Sequence, residues 1–171
     1  YQLALQLRPR YPQAHFNLGV TLESAGQLEN AMTEYSRALA QKPDYPDAHY
    51  NLGLALARRG QLNEAVGQFQ QALRLNPRLA DAHNNLGVAF DRLGRPDLAI
   101  REYQQAIAVQ PDYPRAHFNL GVALGKVGQF PAAVHEFEEA LRLKPDYAEA
   151  KTNLDAARAL LNPPLPPGGH P

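Results

Sequence analysis

"AHFNLGV" occupies residues 14–20, and the same seven residues return at 116–122. Two close variants lie between these copies, "AHYNLGL" at 48–54 and "AHNNLGV" at 82–88. The four copies begin at Ala14, Ala48, Ala82 and Ala116, so that each starts 34 residues after the one before. A fixed period of this length is typical of repeat proteins, in which each unit packs mainly on its neighbours. We therefore divide this part of the chain into units at 12–45, 46–79, 80–113 and 114–147.

The composition argues against several classes of function. Lys and Arg number 17 and Asp and Glu number 17, so the chain lacks the excess of positive charge that binding to nucleic acid requires. The chain has no Cys, which leaves no disulfide, no Cys-based metal site and no thiol nucleophile. The lack of Cys fits the cytosol, which we favour as the compartment. No apolar run approaches the length of a membrane-spanning helix, so we expect no membrane insertion.

Each unit contains two helical patterns with a break between them. In the first unit, apolar residues recur at helical spacing over residues 14–25 and again over 31–39. Gly26 follows the first pattern and predicts a C-cap in the left-handed conformation. Pro43 ends the second pattern, because proline cannot continue a helix. Equivalent Gly and Pro residues stand in all four units, so the pattern predicts an all-α chain of helix–turn–helix units.

Small residues inside the predicted helices call for a packing explanation. A glycine recurs within every first helix, where it costs roughly 1 kcal/mol relative to Ala; these residues are Gly19, Gly53, Gly87 and Gly121. We expect compensation from a close approach to an alanine of the second helix, at Ala31, Ala65, Ala99 and Ala133. Large aromatic side chains should then pack between units, at Tyr35, Phe69, Tyr103 and Phe137.

These residues together resemble a known family. Every unit carries Leu-Gly at its seventh and eighth places, Ala at the twentieth, an aromatic residue at the twenty-fourth, Ala at the twenty-seventh and Pro at the thirty-second. This set is similar to the tetratricopeptide repeat. The resemblance implies an α-solenoid of antiparallel helix–turn–helix repeats, forming a right-handed superhelix whose first helices line a concave groove. The sequence departs from the family at the fourth place, where the usual bulky aromatic residue is replaced by His15, His49, His83 and His117.

The two ends of the chain differ from the four units. Residues 1–11 resemble the second helix of a preceding repeat, so we expect the chain to be a piece of a longer protein. Residues 148–161 begin like another first helix, but Asp155 takes the glycine place and Arg158 a core place. We expect a C-terminal capping helix there, since the end of an array needs a polar surface. The Pro/Gly-rich tail at 162–171 should be extended or disordered.

An asparagine stands at the sixth place of every first helix, which by the resemblance faces the concave groove: Asn17, Asn51, Asn85, Asn119 and Asn153. A carboxamide offers donors and an acceptor, and so matches the backbone of an extended peptide without reading its sequence. The row resembles the asparagine ladder inside the superhelix of O-linked N-acetylglucosamine transferase. Two alternatives to a ligand-binding role stay open: the asparagines are either polar residues tolerated on a surface, or copies retained after duplication.

Helical geometry predicts the rest of the groove. Aromatic residues stand beside the asparagines at Phe16, Tyr50 and Phe118, with Asn84 at the same place of the third unit. An apolar strip follows at Val20, Leu54, Val88 and Val122. Farther along, basic residues at Arg58, Arg92 and Lys126 oppose Glu23 and Asp91. We predict that these residues and the asparagine row form a peptide-binding surface, since apolar grooves with a few polar groups are the usual binding sites.

The sequence shows no catalytic constellation, and we expect neither a cofactor nor a metal site. The predicted function is a non-enzymatic scaffold that binds an extended peptide or a helix of a partner protein in the groove. Two alternatives stay open. The chain is either a substrate-presenting arm of a larger enzyme, such as a glycosyltransferase, or a self-assembling scaffold. Self-association would use the N-terminal edge or the Pro-rich tail.

Overall fold

The computed structural model describes residues 11–161, so that the predictions for residues 1–10 and for the tail at 162–171 lie outside the described residues. Between residues 11 and 161 the chain forms helices and turns and has no strand. In chain order, the helices of this part are α1 (Pro12–Ser24), α2 (Leu28–Gln41), α3 (Pro46–Arg58), α4 (Leu62–Leu75), α5 (Ala80–Arg92), α6 (Pro96–Val109), α7 (Pro114–Lys126), α8 (Phe130–Leu143) and α9 (Ala148–Leu161).

The first helix of each unit ends in the turn that its glycine predicts. Gly60, which follows α3, has a φ of 79°, and the other three equivalent glycines are also left-handed. The amide of Gln61 donates to the carbonyl oxygen of Leu56 at 3.0 Å, and the amide of Gly60 donates to that of Ala57 at 3.1 Å. These two bonds form a Schellman motif, which satisfies the last carbonyl groups of α3 and turns the chain toward α4.

The glycine inside each first helix lies against an aromatic ring of the second helix. A Cβ built on Gly87 would lie only 2.6 Å from Cε1 of Tyr103, and each of the other three units has the same arrangement. The expectation that glycine meets alanine at this contact was therefore wrong in detail. Ala99 is fully buried, but the ring of Tyr103 makes the closest approach. Glycine is required because any side chain at this place would overlap the ring.

One apolar core runs through all the units. The aromatic residue of each second helix is almost completely buried, from Tyr35 to Phe137, and the same cluster includes leucines of the first helices. Helices of one unit pack on each other, and each second helix packs on the first helix of the next unit. This is the expected α-solenoid of helix–turn–helix repeats, and the all-α prediction is confirmed.

The first helices lie on the inner side of the stack. From α3 onward, each first helix contacts the first helix of the next unit directly, whereas the second helices approach one another less. Closer spacing on one side makes that side concave. The face carrying the asparagine row therefore lies along the inner curve.

The last helix, α9, packs on α8 and ends the described array. Its outer surface is polar, since Lys151, Asp155 and Arg158 are exposed. The guanidinium of Arg158 donates to Oε1 of Glu138 on α8 at 2.6 Å. In its last turn, however, Leu160 is 61% exposed, so that this end of the inner face keeps an apolar surface.

Candidate functional site: the inner face of the array

The five asparagines of the predicted ladder share one register on α1, α3, α5, α7 and α9, and each is partly exposed. Their carboxamides already make bonds within the array. Nδ2 of Asn85 donates to the hydroxyl of Tyr50 at 2.9 Å, from α5 to the preceding first helix. Nδ2 of Asn119 donates to Oδ1 of Asn84, also at 2.9 Å. These asparagines therefore join successive units, and each retains further hydrogen-bonding capacity, because a carboxamide has two donor hydrogens and an acceptor.

The asparagines at the two ends of the row bond within their own helices. Oδ1 of Asn17 accepts from Nε2 of Gln13 at 3.2 Å. Nδ2 of Asn153 donates to the carbonyl oxygen of Glu149 at 2.8 Å. The asparagines thus occupy equivalent positions but make different hydrogen bonds. The repeated sequence alone does not predict these different bonds.

The aromatic residues beside the row are half-buried at the edge of the core. The ring of Phe16 lies 5.9 Å from that of Tyr35 and 5.0 Å from that of Tyr45. Phe118 has the same pair of neighbours in its own unit, Phe137 at 6.0 Å and Tyr147 at 4.9 Å. These rings therefore stabilise their own unit and remain partly exposed beside the asparagine row.

In the third unit the place of this aromatic residue is taken by Asn84, which is completely buried. Its Oδ1 accepts the hydrogen bond from Asn119, and its Nδ2 lies 3.4 Å from Oδ1 of Asn85. The first of these bonds satisfies the buried acceptor. Asn84 is therefore part of the packing between α5 and α7 and not an open groove residue.

The apolar strip is a partly accessible part of the predicted surface. Val20 is 39% exposed, while Leu54, Val88 and Val122 are half-buried. The strip lies beside the asparagine row along four successive units. It offers an apolar surface that continues through the array.

The basic residues of the predicted surface bond to the preceding unit. The guanidinium of Arg58 pairs with the carboxylate of Glu23, and Nζ of Lys126 lies 2.5 Å from Oδ2 of Asp91. These two pairs confirm the expected opposition of charges. Arg92 has no carboxylate at the corresponding place, where the chain carries Ala57, and donates instead to the carbonyl oxygen of that residue at 3.2 Å.

A set of polar contacts that we did not predict joins the two helices of every unit. Nδ1 of each fourth-place histidine lies 2.6–2.7 Å from a side-chain oxygen 19 residues farther along, at Glu34, Gln68, Glu102 and Glu136. The sequence contains a signal for these contacts, because every unit has Glu or Gln, a hydrogen-bond acceptor, at its twenty-third place. The histidine and its acceptor join the two helices at the place where the resemblance implies a bulky aromatic residue.

An apolar pocket lies at the C-terminal end of the inner face, between α7, α8 and α9. Its volume is about 290 Å³. Val122 and Gly125 line it from α7, Phe137 from α8 and Leu160 from α9, with Asn153 and Lys126 also in contact. The asparagine row and the apolar strip both lead into this pocket, so it belongs to the same surface.

The described part of the chain offers neither a metal-binding cluster nor a membrane span. Residues 11–161 contain no group of three or more His, Asp or Glu side chains placed to hold a metal ion. None of the helices described here is long and apolar enough to cross a membrane.

A stack of helical hairpins with an inner face of this kind defines a helical repeat protein of the class that binds other proteins. Sequence profiles assign the family. The profile described as "TPR repeat" matches residues 24–60, 55–94 and 92–128, and the profile described as "Tetratricopeptide repeat" matches residues 114–147. The chain therefore belongs to the tetratricopeptide repeat family. No curated protein matches it in sequence.

Several solved structures share the fold of this chain. A crystal structure of MamA has 28% identity, covers 87% of this chain and 87% of its own, and superposes with a TM-score of 0.81. YrrB, described as a TPR protein with an unusual peptide-binding site, has 25% identity, coverage of 94% and 82%, and a TM-score of 0.83. MamA from Desulfovibrio magneticus RS-1, at 22% identity, covers 88% and 85% with a TM-score of 0.82 and supports the fold alone.

Proposed function

We propose that the chain is a non-enzymatic scaffold that binds an extended segment of a partner protein along the inner face. The observation that carries the proposal is the continuity of this face. Partly exposed asparagines in one register run beside an apolar strip through four units and end at an apolar pocket. The peptide-binding site ascribed to YrrB, a structure with the same fold, supports the same kind of ligand for this chain.

The bonds within the asparagine row indicate how a peptide would be held. Asn85 and Asn119 each use one donor on the preceding unit, which fixes the orientation of the carboxamide. A carboxamide held in this way loses little further side-chain entropy when it binds a peptide backbone. The apolar strip would then accept alternate side chains of the ligand, and the array would read only their size and apolar character.

The test is a comparison of two double variants with a peptide selected from a random library on the parent protein. Asn51→Ala with Asn85→Ala removes two members of the row. Asn30→Ala with Asn63→Ala is the matched control, because these exposed asparagines lie on α2 and α4. We expect the first double variant to lose roughly 0.5–1.5 kcal/mol of binding free energy per hydrogen bond, measured by calorimetry, and the control to bind like the parent.

One further measurement is needed to interpret the result. Circular dichroism of both double variants must match that of the parent, because Asn85 also bonds Tyr50 within the array. Equal affinity of the parent and the Asn51/Asn85 variant would contradict the hypothesis that the asparagine row binds the peptide. The asparagines would then have only a structural role within the array. Failure of the library to yield any binder to the inner face would reject the proposed function.

A further inference from the structure

The ion pairs between successive first helices share one register, and one pair of this series is incomplete. In each case the twelfth place of one unit faces the thirteenth place of the next. Two of the pairs are complete, Glu23 with Arg58 and Asp91 with Lys126. Between them, the twelfth place of the second unit is Ala57 and the thirteenth place of the third unit is Arg92. Arg92 therefore has a cationic side chain but lacks the carboxylate that its equivalents have.

The guanidinium of Arg92 is exposed and retains most of its hydrogen-bonding capacity. It donates from Nη1 to the carbonyl oxygen of Ala57 at 3.2 Å. That oxygen also accepts the amide of Gly60 at 3.1 Å, so the end of α3 does not depend on Arg92. A guanidinium has five N–H donors in a planar fork, and within residues 11–161 the other four of Arg92 have no acceptor. The side chain is thus held beside Ala57 by one bond and can still bind an anion.

The incomplete pair leaves an excess of positive charge along this edge of the inner face. The charged residues of the edge are three cations and two carboxylates: Arg58, Arg92, Lys126, Glu23 and Asp91. Both carboxylates are already paired, so the excess charge falls on Arg92. Ala57 is partly exposed and has no side chain long enough to cover the guanidinium. A carboxylate is the natural complement of this group, because its two oxygens match the planar fork of donors.

The last place of the same series differs in a way that calls for no charged ligand group. Gly125 and Leu160 stand where the complete pairs have a carboxylate and a cation, and both line the apolar pocket. This place has no charge to neutralise and suits an apolar side chain of a ligand. Within residues 11–161, Arg92 is therefore the cation of this edge that a ligand carboxylate would neutralise.

We propose that Arg92 binds the carboxylate of an Asp or Glu side chain in the extended segment of the partner protein. This inference rests on the proposed function, because the segment must lie along the inner face to reach Arg92. The ligand carboxylate would lie beside Ala57 and take the role that Glu23 and Asp91 have in the complete pairs. The apolar strip selects side chains by size and apolar character, whereas Arg92 adds selection for one acidic residue.

The first test selects binders from one random peptide library on the parent and on Ala57→Glu. The first unit has Glu23 at this place, so the substitution fits the fold and should supply Arg92 with an internal carboxylate. We expect Asp and Glu to be enriched among peptides selected on the parent and not among those selected on Ala57→Glu. Ala108→Glu adds the same charge at an exposed place on α6 and should select acidic peptides as the parent does.

The second test measures affinities by calorimetry with one acidic peptide from the parent selection and with its counterpart, in which the enriched Asp or Glu is replaced by Asn or Gln. Arg92→Gln should weaken binding of the acidic peptide about two- to fivefold, the range of one exposed ion pair. Binding of the amide counterpart should not change. Arg101→Gln removes an exposed arginine on α6 and should leave both affinities at the parent values. Thermal unfolding of Arg92→Gln without peptide should match the parent, since the carbonyl group of Ala57 keeps its bond from Gly60.

The possible outcomes distinguish this inference from the proposed function. Peptides that bind the inner face without enrichment of Asp or Glu would overturn the role of Arg92 and leave the proposed function standing. Equal weakening of the acidic peptide and its amide counterpart by Arg92→Gln would also overturn that role, because the arginine would then act on the array and not on a carboxylate. A library that yields no binder to the inner face would reject the proposed function, and this inference with it.

Discussion

Nδ1 of His117 lies 2.7 Å from Oε2 of Glu136, on the facing helix of the same unit. On the other side of the ring, Nε2 lies 2.9 Å from the carbonyl oxygen of Pro111. Both neighbours are acceptors, so the ring is best satisfied when each nitrogen carries a proton. The hydrogen bond to Glu136 accordingly raises the pKa of His117 above its usual value of 6.5, with a further contribution from Glu139 and against the effect of burial.

We expect Glu136→Gln to lower the pKa of His117 and to weaken the fourth unit in a pH-dependent manner. Because the folded-state pKa is raised, the stabilisation is fully present below the unfolded pKa and is lost as the pH rises through the folded pKa. The substitution should therefore destabilise more at about pH 6 than at about pH 9. NMR titration of the His117 ring gives the pKa, and thermal unfolding gives the stability.

The second unit contains a natural control for this prediction. His49 makes the same two contacts, but its Nδ1 faces the neutral Oε1 of Gln68. Gln68→Ala should show a smaller change between the two pH values than Glu136→Gln. A His117 pKa that is the same in the parent and in Glu136→Gln would contradict the assignment of the shift to the carboxylate.

Gly87→Ala should destabilise the array, although alanine is the better helix former. The new Cβ would lie 2.6 Å from Cε1 of Tyr103, a residue that is only 2% exposed. Overpacking of this kind costs roughly 1–3 kcal/mol. Hydrogen exchange should locate the loss in α5, α6 and their direct neighbours, since each unit depends mainly on adjacent ones.

A double variant distinguishes overlap from a general defect at residue 87. In the background of Tyr103→Leu the ring is absent, and the same Gly87→Ala change should be neutral or stabilising. Additive effects of the two substitutions would show that the close contact is not the reason for the glycine.

Two glycines on either side of the start of α4 should respond in opposite directions to the same substitution. Gly60 has a φ of 79°, so Gly60→Ala should destabilise by about 1 kcal/mol or more. Gly67 lies within α4 with nothing near its Cβ, so Gly67→Ala should stabilise by about 0.5–1 kcal/mol. Denaturant unfolding of both variants checks the signs, and two changes of the same sign would contradict the assigned conformations.

Tyr35→Phe should cost about 1 kcal/mol, the usual net contribution of one hydrogen bond. The hydroxyl of Tyr35 donates to Oε2 of Glu23 at 2.6 Å, and burial and this carboxylate both raise its pKa. The ring itself should stay in place, because Phe69 occupies the same position in the second unit. The reverse change, Phe69→Tyr, lacks a carboxylate partner at Ala57, and thermal unfolding should show no gain.

The helices were predictable because the relevant signals are local. Gly26 and its equivalents mark where the first helices end, and prolines such as Pro46 and Pro114 stand at helix starts. The period then fixes how the helices alternate. Repetition of one pattern in four units made this part of the fold certain from the sequence.

The contacts between helices were harder to predict, because residues one turn apart share a face. Ala31 and Tyr35 both point toward α1, and the period does not tell which of them meets Gly19. The bond between His15 and Glu34 joins two helices over 19 residues, so no local rule finds it. The bonding of Asn85 to Tyr50 likewise depends on how far one unit is rotated against the next.

Four polar bonds join neighbouring first helices along the inner side of the stack, and they have an elastic consequence. The bonds from Arg58, Asn85, Asn119 and Lys126 all join a first helix to the preceding one. Uncurling the array would stretch these bonds before it disturbed the apolar contacts of the second helices. The array should therefore resist a decrease of its curvature more strongly than an increase. Salt that screens the ion pairs of Arg58 and Lys126 should lower the resistance of the array to opening and widen the groove.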